Sequence, residues 1–402
     1  MNATLDRQLA PLRRNGISSR SFLALVATQW LGAFNDNMFR WLAVPIGQSS
    51  PRLGVDGALV LGGVCFTIPY LLLAPTAGSL ADRYSKRSVI VACKVAEIVL
   101  MILGIAAILS GSLVCIFSVV ILMGAQSALF APAKFGSLPE MLHPNALSKG
   151  NGVLGLVTVV ASALGTVAGY WLFGQVESLV APAVGSAPAS PVLIWPAAAA
   201  LIGVAVMGTF ASLFIGDLPA ANPNCKLDLN PITETVPALQ LLFSDVKLAR
   251  TALGIAFFWM LASLAQLNID PFGEQTLGLP KEHIGILMAV LVAGLGFGSV
   301  LAGWWSGGRV ELGIVPLGAV GIIVSSLLTF LASAAVDPAR PILDQWAFYG
   351  SCLGLFLIGA SAGLFDIPLE AFLQYRSDDR TRGTILAGSN FIAFSGILLS
   401  CG

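Results

Sequence analysis

The hydrophobic positions of this chain form long runs that are separated by short polar breaks. A helix needs about 20 mostly apolar residues to cross the roughly 30 Å hydrocarbon core of a bilayer, and each run supplies them. The pattern therefore predicts an all-α integral membrane protein. The predicted membrane-spanning helices lie at 21–48, 57–81, 88–110, 113–134, 150–174, 192–216, 251–273, 283–306, 313–336, 345–372 and 382–402.

The longest polar break, 217–250, divides these helices into six and five. We therefore predict an N-terminal six-helix bundle at 1–216, a cytoplasmic linker at 217–250 and a C-terminal bundle at 251–402. The sequence stops inside an apolar run, FIAFSGILLSCG, without a polar cap. We expect a twelfth helix, which would complete two pseudo-symmetric six-helix bundles, to be missing from this sequence.

The composition agrees with a membrane protein, since 56% of the residues are hydrophobic, 10% are charged and the mean hydropathy is +0.85. The formal net charge is zero, so nucleic acid is not an expected partner. The six cysteines are scattered through apolar segments without the close spacing of metal or redox motifs. We predict neither a cofactor nor a metal site, and we expect membrane lipids to surround the helices.

The basic residues predict the orientation of the chain. If the N-terminus is cytoplasmic, most of the 21 lysines and arginines fall on the inner side, and the outer loops hold only Arg52, Lys281 and Arg340. Cytoplasmic loops of membrane proteins are enriched in Lys and Arg. The N-terminus is therefore predicted to be cytoplasmic.

The loop GSLADRYSKR between helices two and three is the most specific motif. It resembles the cytoplasmic signature loop of the major facilitator superfamily, and its matching residues are Gly78, Asp82, Arg83, Lys86 and Arg87. The glycine would allow a neighbouring helix to approach closely, and the aspartate would bind the positive N-terminal end of another helix. We expect these residues to form a conformational latch on the cytoplasmic side. The alternative is an ordinary basic loop.

A second polar group lies in the middle of helix one, where Asn35, Asp36 and Asn37 are followed by Arg40. They are roughly 22 Å from the start of the helix at 1.5 Å per residue, a depth at which an unpaired charge costs several kcal/mol. Such residues normally face a cavity, which makes these four candidates for substrate binding. The alternative is a structural ion pair between Asp36 and Arg40, one turn apart.

Lys134 follows Pro132 at the end of helix four. We expect the proline to bend or end the helix, so that the lysine offers a fixed cation near the inner mouth of a cavity. The alternative is a terminal lysine that extends its ammonium group to the membrane surface.

The other charges within helices are weaker candidates. Lys94 and Glu97 are three residues apart on helix three, and we interpret them as a structural pair. Asp366 and Glu370 near the inner end of helix ten, and Asp270 near the outer end of helix seven, are explained at least as well by solvation at a helix end.

Several segments outside the loop resemble the bacterial lysophospholipid transporter branch of the superfamily. They are GAFNDN in helix one, PAKFGSLPE from Pro132 to Glu140, ELG with VPLG between Glu311 and Gly318, and Arg382-Gly383 with Asn390. The resemblance implies a protein of the bacterial cytoplasmic membrane that flips lysophospholipids, chiefly lysophosphatidylethanolamine, from the outer to the inner leaflet by alternating access. An acyltransferase, acting downstream or fused to the transporter, would then restore the second chain.

The resemblance also implies that Asp36, Arg40 and Lys134 hold the zwitterionic headgroup. Neither His143 nor His283 begins the H-x-x-x-x-D arrangement of such acyltransferases, so we expect a transporter and not an enzyme. Two alternatives stay open. The first alternative is a transporter of another amphiphilic or soluble solute with the same fold, and the second is a membrane anchor for a fused acyltransferase.

Overall fold

The computed structural model describes residues 16–50, 53–180, 194–224, 231–279, 281–337 and 339–400. These residues form twelve α-helices joined by short 3-10, π-helical and irregular segments, and the described ranges contain no strand. The helices are α1 Arg20–Gln48, α2 Gly54–Arg83, α3 Lys86–Leu109, α4 Leu113–Met141, α5 Leu147–Val180, α6 Trp195–Leu213, α7 Pro231–Ser244, α8 Val246–Pro271, α9 Lys281–Trp305, α10 Ile314–Ser333, α11 Trp346–Arg376 and α12 Arg382–Ser400.

Ten of the described helices, α2 to α6 and α8 to α12, are long and apolar enough to cross a membrane. Helix α1 has 29 residues, which is also sufficient length, but its polar run Asn35–Asn37 makes it the least apolar of the long helices. It packs against α5 and α6, which are both among these ten helices. The predicted all-α membrane fold is confirmed.

The helices on either side of α7 pack in the same order. In the N-terminal half, α1 to α6, the pairs α1 with α5, α2 with α4, and α3 with α4 lie against each other. In the C-terminal half, α8 to α12, the corresponding pairs are α8 with α12, α9 with α11, and α10 with α11. The two halves therefore repeat one architecture. Domain boundaries at residues 216 and 250 stay a prediction.

The two most extensive contacts between the halves are the helix crossings of α2 with α12 and of α5 with α9. Glycine makes both crossings possible. A Cβ atom on Gly78 would lie 2.7 Å from the carbonyl oxygen of Gly383, and a Cβ atom on Gly152 would collide with the carbonyl oxygen of Ser299. Small residues let membrane helices approach until their backbones touch. These contacts bring the two halves together at one end of the molecule, which we call the Asp82 end.

The sequence predicted that Pro132 would bend or end helix α4, and the helix does not end there. It continues through Pro132 and Pro139 to Met141. A proline removes one backbone hydrogen bond, whereas ending the helix inside an apolar environment would leave several N–H and C=O groups without partners. Continuation is therefore the less costly choice, and it carries Lys134 on a helix and not on a loop.

The polar break between the halves contains a helix that the hydrophobic pattern did not reveal. Helix α7 has only 14 residues, too few to cross a membrane. It packs against α2, α8 and α12, with Ala238 and Leu242 buried. Leu242 belongs to the hydrophobic cluster of the C-terminal half, so α7 lies along the ends of the helices and is anchored by its apolar face.

Candidate functional site

The polar run of α1 begins with a residue that is committed to a buried network. Asn35 is fully buried and donates from Nδ2 to the Oε1 atom of Glu97 at 2.9 Å. Glu97 also binds the ammonium of Lys94 at 2.5 Å, and the side chains of both partners are only 2% exposed. The predicted Lys94–Glu97 pair is therefore present. The Nδ2 atom of Asn35 is thus bound to Glu97, whereas its Oδ1 atom is buried without a hydrogen-bond partner among the described residues.

Asp36 points away from that network. It is partly buried, and its Oδ2 atom accepts a hydrogen bond from the hydroxyl of Ser127 on α4 at 2.7 Å. Its Oδ1 atom is buried without a hydrogen-bond partner among the described residues. Buried carboxylate oxygens are normally satisfied, because an unpaired one loses its hydration. Asp36 thus keeps one free acceptor in the interior of the N-terminal half.

Arg40 lies one turn after Asp36, yet the two do not form a direct ion pair. The guanidinium of Arg40 donates to Asn37 Oδ1 at 3.2 Å and lies over the rings of Phe66 and Trp41, at 5.3 and 5.6 Å from the ring centroids. The alternative of a closed Asp36–Arg40 pair is therefore not realised. Asn37 holds the guanidinium in place.

Lys134 on α4 is 9% exposed. Its ammonium lies 4.2 Å from the ring centroid of Phe135 and 5.7 Å from that of Phe130. No hydrogen bond or ion pair to Lys134 Nζ occurs within the described part of the chain. The adjacent Phe135 packs against the cluster that contains Leu369 and Leu373 of α11, in the other half. A buried ammonium group held only by aromatic faces is open to an anionic ligand.

The sequence indicated Asp366 and Glu370 only as weaker candidates, because solvation at the end of α11 explained them at least as well. In the structure both are only partly exposed, and the Oδ1 atom of Asp366 is buried without a partner among the described residues. Their spacing of four residues already places them on one face of a helix. Sequence alone does not say which helices pack around that face.

The interior of the described chain therefore carries two cations with free donor groups, Arg40 and Lys134, and carboxylates from both halves. No group of three or more His, Cys, Asp or Glu residues among the described residues is placed to hold a metal ion. Such a set can hold a ligand that carries charges of both signs.

Asp82 joins the two halves at the end of α2. Its carboxylate accepts hydrogen bonds from the backbone N–H groups of Gly383 and Thr384 at 2.7 and 2.9 Å, and from the Thr384 hydroxyl at 2.8 Å. These are the first residues of α12, where the helix dipole favours a negative charge. Burial raises the pKa of Asp82, and the same hydrogen bonds oppose that rise. Protonation of Asp82 would weaken this contact.

A second set of charges lies beside Asp82. Lys86 is fully buried and binds Glu140 of α4 at 2.6 Å, and the guanidinium of Arg382 lies 4.0 Å from the same carboxylate. Arg382 also donates to the carbonyl oxygen of Gln374 at 3.1 Å. Charged side chains of α3, α4 and α12 are thereby linked across the two halves, and Arg382 is also bound to the backbone of α11.

The α5 side of the Asp82 end is closed by neutral groups. Asn151 and Gln374 exchange two amide hydrogen bonds of 2.9 and 2.8 Å, and both side chains are buried. The hydroxyl of Ser148 donates to the carbonyl oxygen of Arg309 at 3.1 Å. In this structure the Asp82 end is shut on both sides.

The remaining residues of the predicted latch have other contacts. Arg87 binds Asp217 at 2.8 Å and the carbonyl oxygen of Leu213 at 3.2 Å, both within the N-terminal half. Arg83 lies over the ring of Tyr84, 5.7 Å from its centroid. Gly78 and Asp82 touch the other half directly, and Lys86 is linked to it through Glu140.

Most of the chain matches a known protein family. A family model described as Major Facilitator Superfamily matches residues 25–400. A protein named lysophospholipid transporter LplT from Serratia proteamaculans is 26% identical over 395 residues, which is 96% of this chain and 87% of that protein. The protein of the same name from Salmonella gallinarum is 28% identical over 399 residues, covering 96% and 88% of the two chains.

Two solved structures have a similar fold. The human organic anion transporter MFSD10 (TETRAN) matches with a TM-score of 0.71 at 15% identity, over 94% of this chain and 91% of that one. A bacterial homologue of the iron transporter ferroportin matches with a TM-score of 0.67 at 14% identity, over 95% and 91%. At these identities the likeness concerns the fold alone.

The buried Lys94–Glu97 pair leads to a stability prediction. Glu97→Gln leaves a buried ammonium without its counter-charge, which typically costs about 3–5 kcal/mol. We expect a lower melting temperature in detergent for this variant, and recovery of most of the loss in the double variant Lys94→Met/Glu97→Leu. The exposed pair Arg340–Asp337 provides the control, since Asp337→Asn should change the melting temperature little. A double variant as unstable as Glu97→Gln would contradict the pairing.

Proposed function

This chain belongs to the major facilitator superfamily and is a multi-pass membrane transporter; from that premise we propose that it flips lysophospholipids. The main substrate would be lysophosphatidylethanolamine, moved from the outer to the inner leaflet of the bacterial cytoplasmic membrane, where an acyltransferase restores the second chain. The observation that carries the proposal is the set of unpaired charges of both signs in an otherwise apolar interior.

The small number of these charges supports an amphiphile over a sugar or a multiply charged solute, which would need more polar partners. Lys134 and Arg40 have donors for a phosphate, and Asp36 has a free acceptor oxygen for the hydroxyl or amine of a headgroup. The acyl chain would stay in apolar surroundings. The relatives named lysophospholipid transporter, which align with 96% of this chain, give independent support.

The orientation that we propose places the N-terminus and the Asp82 end in the cytoplasm, as the distribution of basic residues favours. The closed Asp82 end would then make this structure an outward-facing state. Alternating access requires that end to open while the opposite end closes. Asp82 and Gly78 would act as the conformational latch, because their contacts with the C-terminal half must break before that end opens. Lys86 would support the latch through Glu140, whose carboxylate lies 4.0 Å from the guanidinium of Arg382.

The transport proposal predicts the effect of one isosteric change. Asp36→Asn removes the charge while keeping the size of the side chain, and we expect it to reduce inward movement of labelled lysophosphatidylethanolamine in proteoliposomes by about tenfold or more, the effect of one lost charged hydrogen bond. Diacyl phosphatidylethanolamine should not move in either case. Asp337→Asn, a change of an exposed aspartate outside the helices, is the matched control and should transport normally.

Three results would contradict the proposed function, the proposed substrate class or the role of Asp36. Wild-type protein that moves lysolipid no faster than empty liposomes would refute lysophospholipid flipping and favour a soluble solute or an anchoring role. Equal movement of lysolipid and diacyl lipid would refute the substrate class. Full transport by Asp36→Asn would remove Asp36 from the site.

The latch proposal predicts a shift in conformation. Asp82→Ala removes three hydrogen bonds to the start of α12, and we expect the Asp82 end to open in a larger fraction of molecules. Spin labels at Ser88 on α3 and Tyr375 on α11, in a background without native cysteines, should then show a longer distance by pulsed electron resonance. Asp217→Ala is the matched control, because its ion pair with Arg87 lies within one half. An unchanged distance distribution in Asp82→Ala would contradict the latch.

A further inference from the structure

Two carboxylates on α11 lie one helical turn apart and have no counter-charge of their own. Asp366 and Glu370 make no ion pair within the described part of the chain, and Asp366 Oδ1 is buried without a hydrogen-bond partner there. Charges inside a membrane protein are rare and mark substrate or ion pathways when they lack a partner. The roles proposed above for Asp36, Arg40 and Lys134 leave Asp366 and Glu370 without a role.

The packing of α11 shows where these carboxylates point. Ile367 lies beside Gly155 of α5, and Leu369 lies beside Gly254 of α8. At about 100° per residue, Asp366 and Glu370 fall in the arc between those two contacts. Helix α5 belongs to the N-terminal half and α8 to the C-terminal half. The two carboxylates therefore face the interior between the halves.

Lys134 approaches this face from the N-terminal half. Helix α4 contacts α11, and Phe135, the next residue after Lys134, packs against the cluster that contains Leu369 and Leu373 of α11. Lys134 is 9% exposed, its ammonium lies over the rings of Phe130 and Phe135, and it has no ion pair within the described part of the chain. A buried lysine without a direct partner thus lies opposite a pair of carboxylates without one.

The charges in this place do not balance. One ammonium faces two carboxylates, and a second negative charge in a poorly hydrated interior is unfavourable unless a cation joins it. A ligand with one positive and one negative group would satisfy both sides. Its anion would lie at Lys134 and its cation at the α11 carboxylates.

We propose that Asp366 and Glu370 form the subsite for the ammonium group of the lysophospholipid headgroup, while Lys134 binds the phosphate. The inference rests on the proposed function and adds a specificity determinant from the C-terminal half. A phosphate and a primary amine separated by two carbons bridge the halves. A headgroup without an amine leaves the α11 carboxylates unpaired.

The experiment compares two lysolipids that differ in this group, lysophosphatidylethanolamine and lysophosphatidylglycerol, in proteoliposomes. The readout is the ratio of their inward transport rates, measured for wild type and for Asp366→Asn/Glu370→Gln. We expect the ratio to fall about tenfold or more in the variant, as for one lost charge-assisted hydrogen bond. Glu311→Gln, at an exposed glutamate in the same half, is the matched control and should keep the wild-type ratio.

Each outcome is informative. An unchanged ratio overturns the ammonium subsite, whether both rates stay high or both fall together, because a structural or conformational role affects both headgroups alike. Wild-type protein that moves neither lysolipid refutes the proposed function itself, which is a separate result.

A second measurement tests the subsite with wild-type protein alone, in case the double variant does not fold. For wild-type protein, free phosphoethanolamine should inhibit lysolipid transport at a concentration at least several-fold lower than glycerol 3-phosphate does. Equal inhibition by the two soluble headgroups would overturn the subsite without the need for a variant.

Discussion

The high cost of an unpaired charge in hydrocarbon is the constraint on which the rest of this structure depends. Within the described helices, the charges divide into two kinds. Lys94 and Glu97 satisfy each other, with Asn35 as a third member, and are sealed inside the N-terminal half. Asp36 and Lys134 are incompletely satisfied and lie in the interior. Only the second kind of charge is free to bind a ligand. This distinction separates the structural residues from the candidate binding residues.

The same constraint explains how the halves are joined at the Asp82 end. Backbone contact at Gly78 and Gly383 brings the start of α12 close enough for the Asp82 carboxylate to accept its free N–H groups. Those N–H groups need a partner at every helix start, and a carboxylate from the other half supplies it. The junction is therefore strong in this state. It is also separable, because water could satisfy the same groups once the halves part.

Much of the fold was predictable, because an apolar run of sufficient length has few alternatives to a spanning helix. Local spacing also predicted the Lys94–Glu97 pair, since residues three apart meet on any helix. The course of α4 past Pro132 and the presence of α7 were not predictable from local preference, because packing against other helices decides both. The same reason explains why Asp366 and Glu370 were only weaker candidates. Their spacing predicts that they share a helix face, but it does not predict that α5 and α8 pack beside that face.

The lysophospholipid headgroup is proposed to bind between the two halves of the molecule. The most direct test is an electron cryomicroscopy structure of the protein in lipid nanodiscs with saturating lysophosphatidylethanolamine. We expect one lipid in the interior, with its phosphate within hydrogen-bonding distance of Lys134. Lipid density restricted to the outer, hydrocarbon-facing surface, with no ligand between Lys134 and Glu370, would contradict it.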